Sequence, residues 1–326
     1  MERLTVVIGE DIGAKNLERL RAQFQDQPRH DIEFLMHTDR EALIAAAPQA
    51  DIIFTKSLPA EAARVADKLR WIQAGTAGVN HLLSDELLAR DILLTNARGA
   101  HGEPMSELML AMMLAFATGL DALIRAQVGS GPKRIQESVR RNKFELQGQT
   151  LCVIGLGDIG GTLAHKARGL GMYILGVRRS GAPFAHADEV FCPTELLTVL
   201  PQADHVALCL PLNEETRGIV GEDELRAMRP TAFIYNVGRG ASIDAQALLR
   251  ALREGWIAGA GLDVTDPEPL PEDSPLWAMP NVLLSQHTSG SSPYNADRIT
   301  AIFADNLERY LRGEPLINVV DKTLGY

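Results

Sequence analysis

Only three cysteines, Cys152, Cys192 and Cys209, occur among 326 residues. An odd number with no paired metal-ligand spacing argues against a disulfide scaffold and against a zinc site. The thiols are expected to be buried and reduced, as in a cytoplasmic protein, and no metal is expected. Basic residues are also in deficit: 32 Lys and Arg face 42 Asp and Glu, a formal charge of −10. Such a surface repels nucleic acid and anionic membrane, so neither is expected as a partner. No apolar run approaches the roughly 20 residues of a membrane span. There is no low-complexity tract and no short repeat, and the N-terminal segment Met1–Gly9 reads as a first strand rather than a signal peptide. What remains is ordinary globular material, 46% hydrophobic and 23% charged, long enough for two domains.

The most informative stretch runs from Thr150 to Gly160. Apolar residues Leu151 to Ile154 lead into Gly155, Gly157 and Gly160, spaced G-x-G-x-x-G. Ile159, Leu163, Ala167 and Leu170 then recur at near-helical intervals until Gly171. Strand, tight turn and helix in that order form the context of a dinucleotide fingerprint. Gly155 would allow the turn, Gly157 the approach of a pyrophosphate, and Gly160 close packing of helix on strand. The helix start at Asp158 and Ile159 would aim N–H groups at the phosphates. A glycine-rich turn without a ligand is the plain alternative.

On either side of this stretch, strand-like and helix-like segments alternate. Strands are predicted at Leu4–Ile8, Ile32–Met36, Asp51–Thr55, Trp71–Ala74 and Ile92–Asn96, and again at Tyr173–Val177, His205–Leu210, Thr231–Val237, Trp256–Asp263 and Val282–Ser285. One long apolar helix is predicted from Glu103 to about Gln127, its methionines forming core or a subunit interface. The segment Gly129–Lys143 reads as a solvated connection. Asp244 is a predicted N-cap, and Ser292–Leu311 an amphipathic terminal helix. The pattern predicts an α/β protein of two doubly wound parallel-sheet domains with a cleft between. The substrate domain is expected to be discontinuous, 1–98 and 290–326, around a dinucleotide-binding domain, 99–289.

Several further motifs appear in order: Asn236-Val237-Gly238-Arg239-Gly240, Gly259 to Pro271 with Asp263 and Glu268, Ser274-Pro-Leu-Trp277, and His287-Thr-Ser-Gly290. With Trp71 to Val79 and Glu145 to Thr150, they make nearly the whole chain resemble the D-2-hydroxyacid dehydrogenase family. The resemblance implies a Rossmann cofactor domain, a flavodoxin-like substrate domain, and Arg239, Glu268 and His287 as catalytic residues. It implies that Asp263 holds the nicotinamide end of the cofactor, that Pro211 and Thr216 flank the adenosine side, and that Val237 and Gly238 line the same cofactor. Ala77, Gly78 and Val79, with Arg239, are implied to bind the substrate, and a homodimer through Met105–Phe116 is implied. The chain departs from the family where an acidic residue usually ends the strand after the fingerprint: it has Arg178-Arg179-Ser180. Two guanidinium groups there favour the 2′-phosphate of NADP, with NAD still possible. Gln286 stands where the family usually has proline, and Asn80 at a commonly acidic position.

The three residue types also suit the chemistry by themselves. An arginine offers a planar fork to a carboxylate and positive charge to a developing alkoxide. A histidine can give that oxygen a proton and take it back, and a carboxylate beside it fixes its tautomer. Taken singly, Arg239 could be a surface arginine, Glu268 an ordinary loop residue and His287 a satisfied core histidine. The expected function is hydride transfer between NADP(H) and a small 2-keto or 2-hydroxy acid such as glyoxylate or hydroxypyruvate. Oxidation of another small anion, formate or phosphite, and a corepressor-like nucleotide sensor are the alternatives.

Overall fold

A computed structural model describes residues 2–129 and 136–322. Its contacts divide the chain into two compact units, Met1–His101 with Ser292–Tyr326, and Gly102–Ser291.

In the first unit, β1 (Glu2–Ile8), β2 (His30–Met36), β3 (Ile52–Thr55), β4 (Trp71–Ala74) and β5 (Leu93–Thr95) form a parallel sheet in the order β2-β1-β3-β4-β5. Strand alternation sends Val7, Ile53, Ile72 and Leu94 to one face, against Leu43, Ala62 and Ala63. Val6, Ile8, Ile52, Phe54 and Trp71 face the other way, against Leu20, Phe24 and the helix Asn295–Arg312. Phe303 of that helix stacks on both Phe54 and Trp71, with ring centroids 4.8 and 5.4 Å apart. Buried Asn306 locks the same helix in place: its side chain donates to Gln73 and Ile317 and accepts the Ile317 N–H at 2.8 Å. The terminal helix is therefore part of the first unit.

In the second unit, β6 (Thr150–Ile154), β7 (Tyr173–Val177), β8 (Glu189–Phe191), β9 (His205–Leu208), β10 (Phe233–Asn236), β11 (Gly259–Leu262) and β12 (Val282–Leu284) pair in parallel, in the order β12-β11-β10-β9-β6-β7-β8. The chain reverses its direction of winding between β6 and β9, the position where open sheets of this kind receive ligands at their carboxyl edge. Both faces are covered, as parallel sheets require. Edge strand β8 had no periodic signal; it is only three residues long and none of them is fully buried.

The expected single helix 103–127 is two, Gly102–Thr118 and Leu120–Gly129, bent by 77°. Gly119 between them adopts φ +68°, which breaks the ladder, and a side chain there would press on Val139 at 2.7 Å. Met109, Met113 and Phe116 pack inside their own unit. Residues 130–135, within the expected solvated connection, lie outside the described residues; the connection resumes as the helix Gln136–Asn142. Among the described residues no single helix is long and apolar enough to cross a membrane. Cys152, Cys192 and Cys209 are all free thiols, and burial pushes Cys152 and Cys209 up to about 12.

Candidate active site and nucleotide cradle

The fingerprint glycines answer to three different constraints. Gly155 ends β6 at φ +101°, and a Cβ there would meet the Cys209 carbonyl at 2.7 Å. At Gly160 a Cβ would lie 1.9 Å from the Gly155 carbonyl, so the helix Asp158–Gly169 can cross the strand only with glycine at that point. Gly157 has open space where a side chain would be. It is the N-cap of that helix and supplies no side-chain cap, whereas Asp244 caps the helix Ala245–Glu254 by accepting the Ala247 N–H at 2.8 Å. The first turn beyond Gly157, with Asp158 and half-buried Ile159, thus presents backbone N–H groups across a space without a side chain. Such a cradle fits a pyrophosphate.

Val177 pairs with Ile154, so Arg178 leaves the sheet level with the fingerprint turn. Arg178 is half-buried; Arg179 is exposed and lies 3.4 Å from the Glu215 carboxylate. The Ser180 hydroxyl accepts the Ala182 N–H within the same turn. Beyond β9, the Thr216 hydroxyl donates to the Pro211 carbonyl at 2.7 Å and accepts the Asn213 N–H at 2.9 Å. This threonine closes the 211–216 loop upon itself, a shaping role that its spacing did not disclose.

Arg239 leaves β10 between two glycines that cannot be replaced without displacing backbone. A Cβ on Gly238 would lie 2.5 Å from the Leu210 carbonyl, and one on Gly240 only 2.0 Å from the Thr265 carbonyl. Val237, 2% exposed, seats the strand end. The Asn236 side chain accepts the Gly238 N–H at 3.0 Å and donates to the Arg239 carbonyl at 2.9 Å. The N-x-G-R-G motif is therefore a backbone clamp that presents the arginine. The guanidinium donates to the Gly238 carbonyl at 2.8 Å. Burial lowers its pKa from the ordinary arginine value, opposed by the charge of Glu268.

His287 stands on the loop after β12, and Nδ1 is hydrogen-bonded to Glu268 Oε1. An ionised Glu268 accepts here, so Nδ1 carries the proton and Nε2 is left to face a reactant. The loop is strained, with Gln286 at φ +51° and His287 at φ +57°. Side chains seldom adopt that region, at a cost of about 1–3 kcal/mol each. Asp263, 1% exposed at the end of β11, supplies the compensation. Its carboxylate accepts the Ser285 hydroxyl at 2.7 Å, the backbone N–H groups of Thr288 and Ser289 at 2.9 and 3.1 Å, and the Ser289 hydroxyl. The His287 N–H donates to the Asp263 carbonyl. Both Asp263 oxygens are thus committed to the histidine loop. A cavity of about 140 Å³ adjoins Glu268, lined by Asp263, Thr265, Leu270, Trp277 and Gln286.

In the first unit, the loop after β4 is held through its carbonyls. Asn96 donates to Ala77 and Thr76 donates to Gly78, each at 2.9 Å, and Val79 is fully buried.

A reversing parallel sheet, an open glycine helix start and a carboxylate-paired histidine define a nucleotide-binding α/β unit equipped for acid–base chemistry. Comparison with known proteins narrows that class. The D-isomer specific 2-hydroxyacid dehydrogenase NAD binding domain matches residues 110–289. A glyoxylate reductase of Korarchaeum cryptofilum is 35% identical over 83% of this chain and 81% of its own. A D-isomer specific 2-hydroxyacid dehydrogenase family protein of Aeromonas salmonicida superposes with TM-score 0.82 at 33% identity, covering 98% of this chain and 99% of that one. A D-isomer specific 2-hydroxyacid dehydrogenase of Xanthobacter autotrophicus, solved with NADPH and MES, superposes with TM-score 0.80 at 27% identity, covering 98% and 100%. The chain belongs to the D-isomer specific 2-hydroxyacid dehydrogenase family.

Proposed function

We propose that this protein is an NADPH-dependent reductase of small 2-keto acids of the glyoxylate and hydroxypyruvate kind, with NADH as a weaker alternative. The paired Glu268 and His287 carry the reading, supported by the glyoxylate reductase relatives and by the neighbour solved with NADPH. A bound nicotinamide cofactor supplies the hydride for the keto carbon. His287 Nε2 gives a proton to the keto oxygen as that oxygen gains charge, and the hydroxy acid leaves. Glu268 holds the opposite ring nitrogen and fixes the orientation of the ring. Arg239, already partly stripped of water, steadies the anionic reactant and the developing charge. The resemblance assigns Ala77, Gly78 and Val79 to the substrate carboxylate, and we retain that assignment. Arg178 and Arg179 receive the 2′-phosphate, Arg179 exchanging its exposed Glu215 contact for it.

We further propose a homodimer. The Met105–Phe116 helix spends Met109, Met112 and Met113 on its own core, so the surface on offer is Leu114 together with Leu120, Ile124 and Val128 of the next helix, all at least 42% exposed. The free thiols support a cytoplasmic location. The decisive assay is NADPH oxidation with glyoxylate and hydroxypyruvate, alongside His287→Gln. Turnover falling about 10²–10⁴-fold in the variant while NADPH still binds is the expected result. Full activity in His287→Gln would remove the acid from the scheme, and no turnover with either acid would overturn the function.

A further inference from the structure

The acid–base chemistry makes no use of Glu10, which follows β1 and is 7% exposed. Its Oε1 has no hydrogen-bond partner. The carboxylate packs against Gly75, where a Cβ would come within 2.0 Å of that oxygen. Burial raises its pKa, and Lys56 pulls it back down. Lys56 is the first residue beyond β3; its ammonium is 3.4 Å from Glu10 Oε2, while 59% of its side chain is exposed. On its other side, the Lys56 carbonyl hydrogen-bonds His81 Nε2 at 2.6 Å.

These residues stand where the first sheet reverses its winding, between β1 and β3, at its carboxyl edge. That is where open parallel sheets collect ligands. The Gly75 N–H bonds the Thr55 carbonyl at 3.0 Å, which ties the base of the Ala77–Val79 loop to the base of Lys56. A buried carboxylate with an unmet oxygen is an expensive means of decorating a surface with lysine. It does fix an otherwise flexible ammonium in one place. The ammonium faces Glu10 on one side, and its remaining donors can be offered outward.

We propose that Lys56, held by Glu10, is a specificity-determining residue that donates to an oxygen on C3 of the 2-keto acid. The assignment rests on the proposed function and deepens it. Substrates with a C3 hydroxyl are favoured over those with a C3 methyl, because only the former satisfy the ammonium as it leaves water. Hydroxypyruvate and pyruvate differ by that one oxygen, and glyoxylate lacks C3 altogether.

The test is steady-state reduction of these three acids by the full-length protein with NADPH, for the parent, Lys56→Met, Lys56→Arg and Glu10→Gln. In the parent, kcat/KM for hydroxypyruvate should exceed that for pyruvate by at least about tenfold, the worth of a charge-assisted hydrogen bond. Lys56→Met should erase most of that ratio through a raised KM for hydroxypyruvate. Lys56→Arg should restore it, and Glu10→Gln should lower it by a smaller factor, since the ammonium is then present but loose. A ratio unmoved in Lys56→Met, or both acids weakened equally, would overturn the assignment while leaving the proposed function standing. Absence of turnover with all three acids in the parent would overturn the proposed function, and this assignment with it.

Discussion

The Asp263 carboxylate accepts the Thr288 backbone N–H at 2.9 Å, one residue beyond His287. Together with the three further donors from Ser285 and Ser289, this contact makes Asp263 the residue that holds the histidine loop in its left-handed turn. Asp263→Asn keeps the size but replaces one acceptor oxygen with a donor. We expect kcat to fall about 10–100-fold, the equivalent of one or two lost charge-assisted bonds, with KM for the keto acid little changed. Dissociation constants for NADPH, measured by fluorescence quenching, separate this role from a nicotinamide contact. If the main effect is on NADPH affinity with kcat intact, the carboxylate serves the cofactor and not the loop.

Arg239→Lys preserves charge but loses the planar two-point fork. The prediction is a raised KM for the keto acid and a lowered kcat, a combined loss of about 10–100-fold in kcat/KM. NADPH affinity should barely move. Near-normal keto-acid kinetics in this variant would exclude the guanidinium from the reaction.

Cofactor choice is expected to depend on Arg178 and Arg179. The unaltered protein should favour NADPH over NADH in kcat/KM, and the double change to alanine should remove most of that preference at low salt. Because Arg179 is exposed, the preference should also shrink as ionic strength rises. Equal kcat/KM for the two cofactors in the parent would contradict the proposal.

Stability should depend on His205, which is fully buried at the head of β9. Its Nδ1 accepts from the Tyr235 hydroxyl at 3.0 Å, and its Nε2 donates to Gln149 Oε1 at 2.6 Å. Burial lowers its pKa from 6.5 to about 4, against a smaller upward pull from Asp204. The unfolded chain therefore takes up the proton first. The stabilisation is complete above pH 6.5 and is lost as pH falls towards 4, by about 3 kcal/mol. Urea unfolding across that range, comparing the parent with His205→Gln, isolates the contribution. Parallel pH curves for the two would refute it.

The proposed dimer contact is tested by Ile124→Glu, a charge placed on an exposed apolar helix face. Sedimentation should show a dimer for the parent at micromolar concentration and a weakened one for the variant. Only monomer in the parent would dispose of the interface.

Much of this architecture was already legible as pattern. Repeated short apolar runs separated by helical intervals imply parallel sheets covered on both faces, and Trp71–Ala74 and Tyr173–Val177 begin and end where periodicity put them. Gly155 and Gly160 were legible because steric exclusion at a strand–helix turn leaves no other residue type, and Gly157 through the G-x-G-x-x-G spacing alone. The identities of Arg239, Glu268 and His287 were available through their motifs. The resemblance also implied the pairing of Glu268 with His287, and the fold brings the two together from 19 positions apart.

Only the tertiary structure decided the features that depend on contacts remote in sequence. Gly119 becomes a break because it turns left-handed at a point where a side chain would collide with Val139, whereas an apolar run through glycine looks continuous. The resemblance gives Asp263 to the cofactor, and its hold on the histidine loop emerges only where Ser285, Thr288 and Ser289 close around it. Glu10 and Lys56 lie on different strand ends, 46 positions apart, and meet only because β1 and β3 are neighbours in the sheet. Local sequence determines backbone preference and the periodicity of burial, since both act over a few residues. Which carboxylate is buried, and what it holds, depends on strand order, and strand order is settled by the packing of the whole unit.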